Sequence, residues 1–201
     1  MRKTNRRERG FSLLETVLVL GILMILMGIA VVQSFGSLEG YQANSAQDIV
    51  VSQLRVARQL AISQRRFVQV SFNLATNPQS ITYQVLPRAG SGDAPIPAVT
   101  ITLPQQTKFT QQGGVPDTPM AFGTCSGASG VCIAGVAGGP PFMEFTSTGQ
   151  FTDSTGINTL NGTVFVGIPN QVSTARAITI MGSTGRVRPY TYTGSANGWT
   201  E

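Results

Sequence analysis

Three patterns of apolar and polar positions follow one another along the chain. From Val17 to Val32, sixteen residues pass without a polar side chain. Counted from Phe11, the segment is twenty-two residues; as a helix rising 1.5 Å per residue it spans about 33 Å, the thickness of a bilayer core. From Gln42 to Arg66 there is neither Gly nor Pro, and Val50, Leu54, Ala57 and Ala61 recur at helical spacing. This predicts an amphipathic continuation of the same helix. Gly36 and Gly40 are points where it would bend or break.

At Phe67 the period changes from helical to two. Val68, Val70, Phe72 and Leu74 fall on one face, a turn containing Asn77-Pro78 follows, and Ile81, Tyr83 and Val85 alternate again, which predicts a β-hairpin. Further strands are predicted at Val99–Leu103, Phe142–Thr146, Thr163–Ile168 and Ala177–Met181. Val187–Tyr192 is expected to be the last strand, with Pro189 arguing for an edge. Stretches 87–97 and 112–141, rich in Pro and Gly, read as loops. The expected class is α+β: one long N-terminal helix, partly transmembrane, packed on an all-β head of antiparallel strands.

Composition narrows the chemistry. Charged residues are only 11% of the 201 positions, well below the roughly 25% of an ordinary soluble domain. The chain has no histidine, which removes Ser-His-Asp and Cys-His triads and imidazole-dependent zinc sites. Acidic residues are scattered, and no nucleophile elbow or phosphate-binding Gly loop appears. Neither catalysis nor a metal or cofactor is expected. The net charge of +5 is uneven: residues 1–10 carry five bases (Arg2, Lys3, Arg6, Arg7, Arg9) against Glu8, leaving nine bases and eight acids for the rest. The basicity is mostly that of the leader, and it predicts a cytoplasmic N-terminus with the remainder translocated.

Glu15 is the anomaly of the apolar segment. A carboxylate inside a membrane helix costs about 2.5–3.5 kcal/mol on insertion scales and needs a partner. A cleaved secretory signal would normally have a shorter apolar region and no acid near its start. A plain signal anchor is the second reading. In the third, cleavage after Gly10 makes Phe11 a free amine, and Glu15 lies four residues along the same helix face. In a packed array the carboxylate would equally meet the amine of a neighbouring subunit.

The run Arg9-Gly10-Phe11-Ser12-Leu13-Leu14-Glu15 resembles the class III signal of type IV pilins and type II secretion pseudopilins. The resemblance implies cleavage between Gly10 and Phe11 by prepilin peptidase, N-methylation of Phe11, and a role for Glu15 in docking subunits. It divides the chain into a leader (1–10), a transmembrane helix (11–32), a periplasmic amphipathic part of the helix (33–66) and a β-sheet head (67–201). The implied location is the bacterial inner membrane, single-pass, with a periplasmic head. Three later segments are similar to GspH/FimT-type minor pseudopilins: Leu54–Ile62 before a strand, Phe145-Thr146-Ser147-Thr148-Gly149-Gln150, and Ala177–Arg188 with its Gly-Arg turn. Val32 stands where many major pilins resemble one another in having proline, which favours a minor subunit. Glu15 argues against the tip type that lacks this acid.

Cys125 and Cys132 are the two cysteines. A translocated head meets an oxidising compartment, so a disulfide is expected, with free thiols or a metal site as alternatives. The bond would pin a Gly-rich loop with little core of its own. The 112–141 loop matches no pattern of the resembled family.

Two functions follow. The first is structural: a minor pseudopilin of a periplasmic pseudopilus in type II secretion or a related type IV pilus-like machine, with other pilins, prepilin peptidase and the inner membrane as partners. The second is a FimT-type minor pilin that captures DNA for uptake. Gly185-Arg186-Val187-Arg188 is similar to the Gly-Arg-x-Arg element of such proteins. Arg186 and Arg188 would share a strand face and meet phosphates, with Tyr190 and Tyr192 offering stacking surfaces and Arg176 added charge. A further basic arc of about 100° on the helix, formed by Arg55, Arg58, Arg65 and Arg66, has two readings: an anion-binding or partner-binding patch, or, preferred, a solvated edge whose cations complement the helix dipole.

Overall fold

The structure is a computed structural model. It describes residues 12–88, 92–94, 96–123, 125, 129–133, 142–153, 155–194 and 198–201, with the side chains of 31–37 excepted. The chain divides into two compact units, Met1–Leu38 and Glu39–Glu201. The division falls between the two glycines that the sequence marks as weak points.

A single helix, α1 (Leu13–Gln64), begins in the first unit and ends in the second. In the first unit, Leu13–Ala30 has a mean hydropathy of 2.5 and is wholly unburied. It is long and apolar enough to cross a membrane. In the second unit the same helix turns small and branched apolar residues inward. Ala43, Ala46, Val50, Leu54, Ala57 and Ala61 are fully buried. Burying each larger aliphatic side chain stabilises by about 1.5–3 kcal/mol. The helix stops two residues short of the expected Arg66. Arg65 adopts a left-handed backbone (φ 52°), and the Arg66 and Arg65 amides turn back to the Ala61 and Ile62 carbonyls. This is a Schellman-type ending, with arginine where glycine is usual.

Among the described residues, eleven strands follow α1. β1 (Val68–Asn73) and β2 (Ser80–Val85) form the expected hairpin, pairing Val68 with Val85. Its inward face holds Val68 and Val70, while Leu74 lies beyond the strand and is exposed. β3 (Val99–Thr102) adds to β2, and β6 (Phe142–Phe145) and β7 (Phe151–Thr152) continue on the other side of β1. The second sheet is built on β8 (Gly162–Gly167), β9 (Arg176–Met181) and β10 (Arg186–Tyr192). β4 (Lys108–Phe109) and β5 (Val131–Ile133) share the far edge of β8, each pairing with a different part of it. β10 is not the last strand: β11 (Trp199–Thr200) pairs with it at Thr191 and Tyr192. All the pairings are antiparallel.

Both sheets contribute to one core around α1, where Phe145, Phe151, Met143, Ile178 and Ile180 meet Val50 and Leu54. The opposite face of the second sheet carries a smaller cluster of Val115, Phe165, Ala177, Tyr190 and Trp199, with Cys125 and Met120 against it. The loop expected to have little core of its own contributes Val115, Met120, Cys125 and Cys132 to this cluster from its described parts. The segment after Gln112 lies on the sheet, the Trp199 indole N–H donates to the Pro116 carbonyl at 3.1 Å, and the Asp117 carboxylate accepts from the Thr118 and Gly123 amides.

Candidate functional site

The processing junction Gly10–Phe11 lies outside the described residues. Ser12 opens the described chain, and its carbonyl accepts from the Glu15 and Thr16 amides at 2.9 and 3.1 Å. Glu15 stands in the first turn of α1, a position where an acid complements the helix dipole. It is exposed and has no ion-pair partner among the described residues. Its neighbours Thr16, Val19 and Leu20 line an open concavity on the helix surface together with it. A lone carboxylate on an otherwise apolar, unburied helix is the arrangement an intermolecular charge pair would complete.

Cys125 and Cys132 are joined as a disulfide, with Cα atoms 5.1 Å apart. Cys132 sits on β5, and the Cys125 amide donates to the Gln111 side-chain oxygen at 2.7 Å. The bridge ties the segment before β5 to the second sheet.

The basic residues separate into distinct environments. Arg66 pairs with Asp93 at 3.3 Å, and Arg65 forms the helix ending, so the four helix arginines are not one patch. Arg55 and Arg58 instead stand beside Arg186 and Arg188, across a groove of about 550 Å³ whose lining also includes Met120 and Met181. Arg58 is partly committed. Its Nε donates to the Gly149 carbonyl (3.2 Å) and the Thr184 carbonyl (3.1 Å), clamping the turn before β7 to the turn before β10. Gly149 and Gly185 make that approach feasible. Both have positive φ (81° and 62°), and a Cβ on Gly185 would lie 2.0 Å from the Gly149 carbonyl oxygen. The Gly-Arg turn singled out by sequence therefore has a packing reason of its own.

β10 alternates as expected. Val187 enters the main core and Tyr190 the smaller one, so Arg186, Arg188, Tyr190 and Tyr192 share the outer face. Tyr190, however, is buried, and Tyr192 packs edge-on against Trp199 with ring centroids 5.3 Å apart. Neither is a free stacking surface. Arg176, expected to lend charge, is also buried. Its Nε donates to Asn44 on α1 at 2.8 Å and its Nη1 to the Ser173 and Ala175 carbonyls. Burial pushes its guanidinium pKa below the ordinary value. Arg188 faces Glu201 at 3.6 Å; a hydrogen bond to the Tyr190 side chain, and then the Glu201 charge, hold its pKa above the ordinary value. Arg186 is exposed and has no ion-pair partner among the described residues. Sequence reasoning missed the clamp by Arg58 and the neighbourhood of Arg55. Both depend on turns brought together by the fold.

Residues 5–31 match the family described as the prokaryotic N-terminal methylation motif. The chain thus carries an N-terminal methylation motif, and Gly10, Phe11 and Glu15, from which the resemblance is drawn, lie inside the matched segment. No curated protein matches the chain. Among solved structures, the chain is similar to the type IV minor pilin FimU of Pseudomonas aeruginosa strain PAO1. That match has 16% identity and a TM-score of 0.45, over 74% of this chain and 87% of that one. It is also similar to the minor pseudopilin EpsH from the type 2 secretion system of Vibrio cholerae, at 13% identity and a TM-score of 0.47, over 77% and 99% of the two chains.

Proposed function

We propose that the chain is a minor pilin-like structural subunit, a pseudopilin of a type II secretion pseudopilus or of a related type IV pilus-like machine. One observation carries the reading. The methylation motif at residues 5–31 runs directly into a helix whose first part is apolar and unburied and whose later part forms the core of a β-head. A helix built this way is served by two environments: lipid or other pilin helices for Leu13–Ala30, and its own sheets for Ala43–Ala61. The proposed subunit does no chemistry. It is anchored in the inner membrane with its basic leader cytoplasmic and its head periplasmic, and it assembles with other pilins after cleavage by prepilin peptidase.

DNA capture has lost several of the groups it was expected to use. Tyr190 and Arg176 are buried and Arg188 faces a carboxylate. The structural reading is therefore preferred.

Processing tests it. In cells with active prepilin peptidase, N-terminal mass spectrometry should find a mature chain beginning at N-methyl-Phe11, and the uncut chain should accumulate when the peptidase is deleted. A terminus beyond the apolar segment would mark a secretory signal and overturn the proposal.

A further inference from the structure

The groove between α1 and β10 joins three features that neither the anchor nor the core requires. The first is charge. Arg55 and Arg58 are three residues apart on one side of α1, and Arg186 and Arg188 are two apart on one face of β10; all four line the groove. The ion pair recorded among them is Arg188 with Glu201, and Arg55 and Arg186 have no ion-pair partner among the described residues. The buried Arg188 Nε has no hydrogen-bond partner there either.

The second feature is an open strand edge. The Tyr192 amide donates to the Ala175 carbonyl at 3.2 Å, and the register continues through Tyr190–Ala177, Arg188–Thr179 and Arg186–Met181. Antiparallel alternation then turns the Val187 N–H and C=O, and the Pro189 C=O, away from β9. Among the described residues, β11 covers that edge at Thr191 and Tyr192 and no strand pairs with it at Val187. The third feature is size and lining. About 550 Å³, with Met120, Met181 and Val187 among the arginines, falls within the roughly 300–1,000 Å³ of ordinary ligand sites.

We propose that this groove docks an extended acidic peptide segment of a partner protein, with its carboxylates on Arg55 and Arg186 and its backbone along the open edge at Val187. Guanidinium forks favour carboxylates through paired charge-assisted hydrogen bonds, and strand addition supplies main-chain bonds. Pro189 removes one donor from the edge, so pairing is short and charge supplies most of the affinity. The partner is a different protein. The nine acidic residues of this chain are scattered, and the closest two along the sequence, Glu8 and Glu15, are well separated. A nucleic acid fits less well, because it has no strand edge to pair with Val187 and Tyr190 is not available to a base.

The test uses the full chain in detergent micelles, with fluorescein-labelled hexaglutamate followed by fluorescence anisotropy at low salt. Hexaglutamate should bind and hexaglutamine should not. Replacing both exposed arginines, Arg55→Gln with Arg186→Gln, should weaken binding by about tenfold or more, whereas Arg65→Gln, outside the groove, should leave it unchanged. If the double variant fails to fold by circular dichroism, Arg186→Gln alone should still weaken binding about threefold. Hydrogen exchange at the Val187 amide should slow when the peptide is bound. Equal binding of the two peptides, or binding indifferent to the arginine variants, would overturn the site. Unchanged exchange at Val187 would overturn the strand pairing. Tighter binding of a DNA duplex that is lost in the same variants would reassign the groove to phosphates.

Discussion

Arg58 reaches two carbonyls that the chain places far away, at Gly149 and Thr184. The two contacts share the single Nε–H, so together they contribute about 1.5–3 kcal/mol, the worth of one charge-assisted bond. Here they hold together two turns whose glycines leave no room for a side chain. Gly185 meets two independent constraints, a left-handed backbone and a carbonyl oxygen where its Cβ would be. Left-handed backbone costs a non-glycine residue about 1–2 kcal/mol, and forced overpacking adds about 1–3 kcal/mol. Gly185→Ala should therefore destabilise the chain by about 2–5 kcal/mol in urea unfolding followed by circular dichroism. A loss under about 0.5 kcal/mol, the scale of an ordinary surface substitution, would show that the two turns are not in contact. Sequence alone marked Gly185 through its likeness to a DNA-binding element. It had no means of finding Gly149, because their meeting depends on Arg58 and on the register of two separate sheets.

At the scale of elements, legibility followed length and period. The helix stripe from Val50 to Ala61 and the alternation in β1, β2, β8 and β9 were readable because each pattern repeats within its own segment. β4, β7 and β11 have two residues each, too few to show a period, and they exist because β8, β6 and β10 offer them an edge. The same limit hid the second core. Val115 and Cys132 stand in a stretch that reads as loop and Trp199 lies beyond the last expected strand, and the outer face of β8–β10 gathers them. The disulfide closes this element. An eight-residue loop gives a bond worth about 2–3 kcal/mol by chain-entropy accounting. Reduction with dithiothreitol should lower the urea stability by that amount. Trp199 is the one tryptophan in the chain and is buried in this cluster, so its emission should also shift to the red. Unchanged emission and stability after confirmed reduction would show that the bridge does not hold the loop.

For the whole molecule, the division at Leu38–Glu39 separates two demands on α1. The second unit has its own core and satisfies its helix internally. Among its described residues the first unit shows none: Leu13–Ala30 is wholly unburied, the exposure expected of a segment that lipid or other subunits would cover. Glu15 distinguishes these. Lipid alone would favour an apolar residue there, because the carboxylate carries an insertion cost of about 2.5–3.5 kcal/mol. An array of helices with amino termini nearby would favour the acid, since removing one partner of a low-dielectric pair strands the other charge. Glu15→Val should accordingly enter the membrane at least as well as the natural chain and be cleaved at the same junction. Its head, whose core lies beyond Leu38, should unfold at the same urea concentration. Incorporation is where the variant should fail: cross-linking to other pilins in intact cells should fall by about tenfold or more, the loss that follows from an unpaired charge costing at least about 1.4 kcal/mol. Normal cross-linking by a processed, inserted Glu15→Val chain would mean that the acid serves no subunit contact, and the assembly role drawn from the N-terminal motif would fall with it.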